Sequence, residues 1–206
     1  LSNNQANGAG GGLYNATTAS SQLINVTLAD NQAGSGAQLV TIDDGAIDLS
    51  NTLVAGDGTT ANCAGVMLDD MNNLDSGDSC GFSPANGSLS NRPPRLAPLG
   101  TYAVPATGTS AATMTLGLLP GSPAIGAGND AACLPAPISG RDQRGVIRPS
   151  ATTCDIGAYA VRGFALADTG GNAQTALVSQ AFAIPLSVQV TSPFSDVVGA
   201  GGVVTF

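Results

Sequence analysis

The sequence predicts an all-β chain, built as a right-handed single-stranded parallel β-helix with an irregular disulfide-containing cap and a partial β-sandwich tail. Three observations lead there. The N-terminal part repeats itself at an offset of 26 residues. Apolar residues alternate in short runs between glycine- and asparagine-bearing turns, and no stretch shows a convincing amphipathic helix. Only 10% of residues are charged, against about 25% in ordinary globular proteins.

The same composition bounds function. The 206 residues are 43% apolar, which is enough to build a core. Lysine, histidine and tryptophan are absent, so the surface is coated with neutral polar groups. A net charge of −8 argues against nucleic acid and anionic lipid as partners, since both need basic patches. No apolar run is long enough for a transmembrane helix, so this segment is not expected to insert into a membrane. Leu1-Ser2-Asn3-Asn4 has neither the basic nor the apolar region of a signal peptide.

Residues 1–60 carry the repeat. Asn25-Val26-Thr27-Leu28-Ala29-Asp30-Asn31 aligns with Asn51-Thr52-Leu53-Val54-Ala55-Gly56-Asp57, and Leu13 with Leu39. Ser2-Asn3-Asn4-Gln5-Ala6 matches Ala29-Asp30-Asn31-Gln32-Ala33, as the end of an earlier copy. Ile24, Val26 and Leu28 alternate with Asn25, Thr27 and Ala29; Ile47, Leu49, Asn51 and Leu53 alternate with Asp48, Ser50 and Thr52. Period two places one set inward and the other outward. Short strands at this period suit the last coils of a β-helix, in which stacking supplies the core. Asn25 and Asn51 could stack as an amide ladder. An antiparallel sandwich of hairpins is the alternative.

Residues 61–162 are expected to form an irregular cap over the open end of the coils. Cys63, Cys80, Cys133 and Cys154 allow three pairings. The local one, Cys63 with Cys80 and Cys133 with Cys154, closes two short loops and stabilises by about 3 kcal/mol each in the chain-entropy model. Four buried thiols are the alternative. Zinc is disfavoured, because there is no Cys-x-x-Cys spacing and no histidine. Arg141, Asp142 and Arg144 concentrate charge in a charge-poor chain; with Asp155 they suggest an Arg–carboxylate knot that pins the terminal loop, or else a ligand contact.

Catalysis and cofactors are not expected. Asp43-Asp44 and Asp69-Asp70 are adjacent carboxylates, and neighbours on a strand point to opposite faces, so neither is a ready-made dyad. Both read more simply as turns. Asp43, Asp44, Asp69, Asp70, Asp75 and Asp78 could hold a structural calcium in turns, although no Asp-x-Asp-x-Asp-Gly loop is present.

Residues 163–206 read as strands at Ala176–Val178, Leu186–Val190 and Val203–Phe206. A seven-stranded immunoglobulin-like sandwich takes about 100 residues. This tail is much shorter, so the chain is expected to be a fragment cut at both ends, with unpaired C-terminal edges.

Several of these stretches resemble known families. Ser2-Asn3-Asn4-Gln5-Ala6 with Gly10-Gly11-Gly12-Leu13-Tyr14-Asn15 looks like the repeats of polymorphic outer membrane proteins. Ser50–Gly56 and Asn62-Cys63-Ala64-Gly65 resemble the choice-of-anchor Q domain. So do Leu118–Gly128, Asp142–Pro149 and Cys154-Asp155-Ile156-Gly157-Ala158-Tyr159. Gly126 and Ala160 depart from that pattern, where acidic residues are usual. The tail is similar to the first strands of bacterial immunoglobulin-like adhesin repeats. These resemblances imply a pectate lyase-like solenoid, secreted or at a bacterial cell surface, acting as a structural or adhesive module rather than an enzyme. Surface glycans or a host or neighbouring cell would be the partners. The alternatives are the non-catalytic end of a polysaccharide lyase or glycoside hydrolase, and an extracellular filament subunit joined by strand addition.

Overall fold

The computed structural model describes residues 1–16, 18, 20–102, 113–148 and 153–204. Each N-terminal repeat contributes three short strands. The first gives β1 (Leu13–Asn15), β2 (Ser20–Ile24) and β3 (Thr27–Ala29). The second gives β4 (Leu39–Thr41), β5 (Ala46–Ser50) and β6 (Leu53–Ala55). A third, only partly legible in the sequence, gives β7 (Cys63–Ala64), β8 (Val66–Met71) and β9 (Leu74–Asp75). Like pairs with like, always in parallel: β1-β4-β7, β2-β5-β8 and β3-β6-β9. Bridges Ser2–Ala29, Gln5–Gln32 and Ala9–Ser35 tie the first residues to the same ladder. The chain is all-β with parallel sheets, and its parallel pairing continues past residue 60, through the strands to Asp75 and by a parallel bridge from Leu74 to Leu89.

An asparagine turns the chain between the second and third sheets in every repeat. Asn25, Asn51 and Asn72 have φ of 52°, 48° and 49°. Asparagine is one of the few residues that adopts this left-handed conformation readily. The Asn51 amide donates to Asn25 Oδ1 at 3.3 Å, so the side chains stack as well as the backbones.

The corner resets the strand alternation. Leu28, Leu39, Ile47, Leu49, Val54 and Cys63 form one buried cluster among the three sheets. Ala29, Leu53, Ala55 and Leu74 point the other way and join a second cluster. Leu53 therefore does not continue the inward row of Ile47 and Leu49, as an unbroken strand would require, because Asn51 intervenes. The third sheet is buried on both faces.

The repeat shortens towards its end. Side-chain bonds across successive corners span 26, then 21, then 15 residues. Less chain per turn leaves less interior, and Cys80 and Phe82 plug it from the following loop, buried against the inner cluster. The Cys63–Cys80 disulfide fixes that plug. Asp69 and Asp75 occupy inward ladder positions, opposite Leu49 and Val54. They lie in strands, not in turns, and their oxygens receive the plug's donors. Asp75 accepts from Asn62 Nδ2 (2.6 Å), Gly77 N (2.9 Å) and Cys80 N (3.0 Å). Asp69 accepts from Ser83 N (2.8 Å), Ser88 Oγ (2.6 Å) and Asn73 Nδ2 (2.8 Å).

The larger irregular region lies on a flank of the ladder. The antiparallel pair β10 (Leu96–Gly100) and β11 (Thr115–Leu118) brings Leu116 and Leu118 into the outer cluster. Ala124, Ile156, Tyr159 and Val161 complete it. A short helix, α1 (Asp130–Cys133), carries the cysteine bonded to Cys154. The second disulfide thus belongs to a lateral clamp on the third sheet, not to a lid over the end.

The tail departs from the expected sandwich. One antiparallel pair forms, β12 (Ala165–Gly170) with β13 (Ser187–Thr191), and no second sheet faces it among the described residues. Ala176–Val178 is not a strand, nor is Val203–Val204. Thr205 and Phe206 of the expected last strand, and Pro149 of the quoted Asp142–Pro149 motif, lie outside the described residues. Asp196 anchors the tail by accepting from Arg162 N (2.8 Å) and Gly163 N (3.1 Å). No helix among the described residues is long and apolar enough to cross a membrane.

Candidate functional site

The charged side chains converge where the clamp meets the asparagine corner. Asp142 and Arg144 sit in a turn closed by Asp142 N donating to Val146 O (2.9 Å) and Gly145 N donating to Asp142 O (2.9 Å). Their side chains are 0% and 1% exposed and form an ion pair at 2.7 Å. Asp142 Oδ1 accepts from Arg144 N (2.8 Å) and Val146 N (3.0 Å). Its Oδ2 accepts from Arg144 Nε (2.9 Å) and Ala160 N (3.1 Å). The guanidinium also lies 3.6 Å from the Tyr159 ring centroid. Such a pair is sustained by the number of bonds that replace water, since desolvation alone would oppose it.

Arg148 is the buried cation that reasoning from sequence missed. Its guanidinium donates to three carbonyls, Arg141 O (3.3 Å), Asp155 O (3.3 Å) and Gly157 O (2.9 Å). Asn25 Nδ2 donates to the same Asp155 and Gly157 carbonyls at 3.2 and 3.3 Å. Corner and cation thus grip one backbone segment from two sides. Burial lowers the Arg148 pKa, opposed by Asp142 and Asp155. Gly157 fits only as glycine: its φ is 97°, and a Cβ would lie 2.6 Å from Thr27 Oγ1 and 3.3 Å from Leu53 Cβ.

The Asp155 carboxylate, unlike its backbone carbonyl, has no hydrogen bond to an arginine side chain among the described residues. It accepts from Gly126 N (2.7 Å) and Val161 N (2.6 Å). Desolvation raises its pKa to about 6, against the pull of those amides and of Arg148, while Asp196 pushes it up further. Arg141, the fourth residue of the expected cluster, is exposed, and its Nη1 donates to Gly145 O at 2.9 Å. The expected knot is therefore divided: Asp142 with Arg144, Asp155 on amides, and Arg141 at the surface.

Asn51 and Asn72 extend the corner's grip. Asn51 donates to Asn129 O (2.8 Å) and accepts from Asn129 N (2.6 Å), and Asn72 donates to Ala127 O (2.9 Å). The amide ladder is thus the dock of the clamp. A sequence clue exists in the recurrence of asparagine at one position of the repeat, but its outward partners are not legible there.

The chemistry open to these groups is restricted. Asp130, Cys133 and Cys154 bring ligand-type atoms within 4.8 Å of one another. The two sulfurs are bonded to each other, and Asp130 Oδ1 accepts from Cys154 N at 2.9 Å, so this is a helix-to-loop fastening rather than a metal centre. Asp69 points inward and Asp70 outward, while Asp43 and Asp44 lie in an exposed turn.

Clefts open on the surface formed by the described residues. One of about 420 Å³ lies between the Asn25 corner and the 137–148 loop. Two more, of about 430 and 450 Å³, share Asp57, Thr59 and Thr60 on their rims. Comparison with protein-family models, curated proteins and solved structures gives no match.

Proposed function

We propose that this chain is a secreted or cell-surface structural or adhesive module of a bacterial protein. In this reading its N-terminal repeats are coils of a right-handed parallel β-helix, and the stretches between Ser50 and Tyr159 belong to a region like the choice-of-anchor Q domain that ends such a helix. The observation that carries the reading is the three-strand parallel ladder with a disulfide in its plug and another in its clamp. Stacked repeats of this type draw their stability from neighbour contacts and expose long polar faces. Disulfides persist in oxidising compartments, which favours an extracellular location. Surface glycans or another cell would then be the partners.

The test has two arms. Beads coated with the purified protein should be retained on bacterial or host cells several-fold over beads coated with a neutral control, and the protein should leave pectin and alginate intact. Equal retention of both bead types would overturn the adhesive part. Depolymerisation of pectin or alginate by the full-length protein that carries this chain, and not by the chain alone, would favour the second reading, the non-catalytic end of a carbohydrate-active β-helix. That reading draws support from the two adjoining polar clefts at Asp57, Thr59 and Thr60.

A further inference from the structure

We propose that the cleft between the Asn25 corner and the 137–148 loop binds a small monocarboxylate whose acid group pairs with Arg141. This cleft, at about 420 Å³, falls within the range of ligand pockets, roughly 300–1,000 Å³. It lies where two substructures meet, and such joints are preferred places for ligand sites. Its walls combine apolar surface from Val26, Pro137, Ile138 and Ala158 with the polar groups of Arg141 and Gln143.

Arg141 is the cation that the surrounding structure leaves available. Arg144 is spent on Asp142 and Ala160, and Arg148 on three carbonyls. Arg141 is exposed and uses Nη1 for Gly145 O, which leaves Nε and Nη2 facing no bonded partner among the described residues. Its backbone is held in place by the bridge to Ile147 and by Arg148 N donating to Gly140 O at 2.8 Å. A positioned guanidinium with a free pair of N–H groups matches a carboxylate in a bidentate fork. The Leu1 backbone nitrogen on the rim is already bound to Thr27 O at 2.9 Å.

Charge selects the ligand class. The chain carries 14 acidic and 6 basic residues, so its overall field repels polyanions. Among the side chains that line the cleft, Arg141 and Arg148 stand against Asp142, which leaves one positive charge. One surplus cation beside an apolar wall suits a monoanion with a carbon body rather than a phosphate or a polyanionic chain.

The experiment is a methyl-NMR titration of the whole chain with benzoate and glucuronate, their neutral counterparts benzamide and glucose, and inorganic phosphate. The acids should shift the Val26, Ile138 and Ala158 methyl signals and bind at least tenfold more tightly than the neutral counterparts. R141Q should weaken the acids at least tenfold at an unchanged melting temperature, and R141K should recover part of the loss. Equal binding of acids and neutral analogues, tighter binding of phosphate, no shift up to 10 mM (about the weakest affinity of interest), or an unaffected R141Q would each overturn the proposal.

Discussion

The plug at residues 76–90 and the clamp at residues 113–161 solve the same problem with different chemistry. Each covers an apolar face of the ladder; the plug is fastened by the Cys63–Cys80 disulfide and by Asp69 and Asp75 of the ladder strands, the clamp by the Cys133–Cys154 disulfide and its own buried Asp142 and Asp155. In the plug, Asp69 and Asp75 are met by amide, hydroxyl and backbone donors from nearby residues; the Asp75 partners lie 2, 5 and 13 positions away. In the clamp, the decisive bonds join Asn25 to residues 130 and 132 positions away, and an ion pair and a second arginine are buried beside them. The plug is a local closure that can form with the last repeat. The clamp requires long-range closure, whose entropy is offset only when many bonds form together.

The largest difference should come from breaking the buried ion pair. D142N leaves Arg144 without its counter-charge in a dry site, and removing one partner of such a pair costs about 3–5 kcal/mol. Urea unfolding should show that loss, with the plug's Asp69 and Asp75 contacts still protected from hydrogen exchange. A loss under about 1 kcal/mol, the range of exposed pairs, would place Arg144 in water.

Removing each disulfide should separate the two regions. Each closes a loop of similar size, 17 or 21 residues, and is expected to stabilise by about 3 kcal/mol. The consequences should differ in place. C133S/C154S should expose residues 119–161 to protease while the ladder stays protected; C63S/C80S should open the third repeat first. Coincident loss of both regions in either variant would show one cooperative unit.

A smaller contrast is expected from pH. Burial holds the folded Asp155 pKa at about 6, above its usual value near 4. The folded state therefore binds the proton more tightly than the unfolded chain. The stabilisation from this group is full below about pH 4 and is lost as pH rises through about 6, by at most roughly 3 kcal/mol. D155N should lack that component, so the difference in stability between wild type and D155N should change between pH 4 and 6.5. Parallel stability curves would contradict the assignment.

What could be read from the sequence follows from the same contrast. The first two repeats have equal length, so Asn25–Asn31 and Asn51–Asp57 align by eye, and the recurring asparagine foretells both the corner and its amide stack. The third repeat shortens, so its self-similarity fades although its strands pair as before. Asp69 and Asp75 stand at positions where the earlier repeats carry Leu49 and Val54; as carboxylates in a stretch that also holds Asn72, Asn73 and Gly77 they look like turn residues, and only the plug's donors explain them. Cys63 with Cys80 and Cys133 with Cys154 were one of three open pairings, and the structure bonds those two. Arg148 gave no local sign, because its partners are backbone carbonyls. The double burial of Leu53, Ala55 and Leu74 was hidden for a related reason: what covers their outer face comes from far along the chain.

The central claim is that the clamp covers the flank of the third sheet rather than the end of the ladder. A NOESY spectrum of leucine-methyl-labelled protein tests it directly, because a Cβ built on Gly157 would lie 3.7 Å from Leu53 Cδ1. The account predicts cross-peaks from the Leu53 methyls to the Gly157 α-protons. Leu53 methyls that contact water instead, with residues 153–161 showing cross-peaks to inward-facing Ile47 and Leu49, would contradict it.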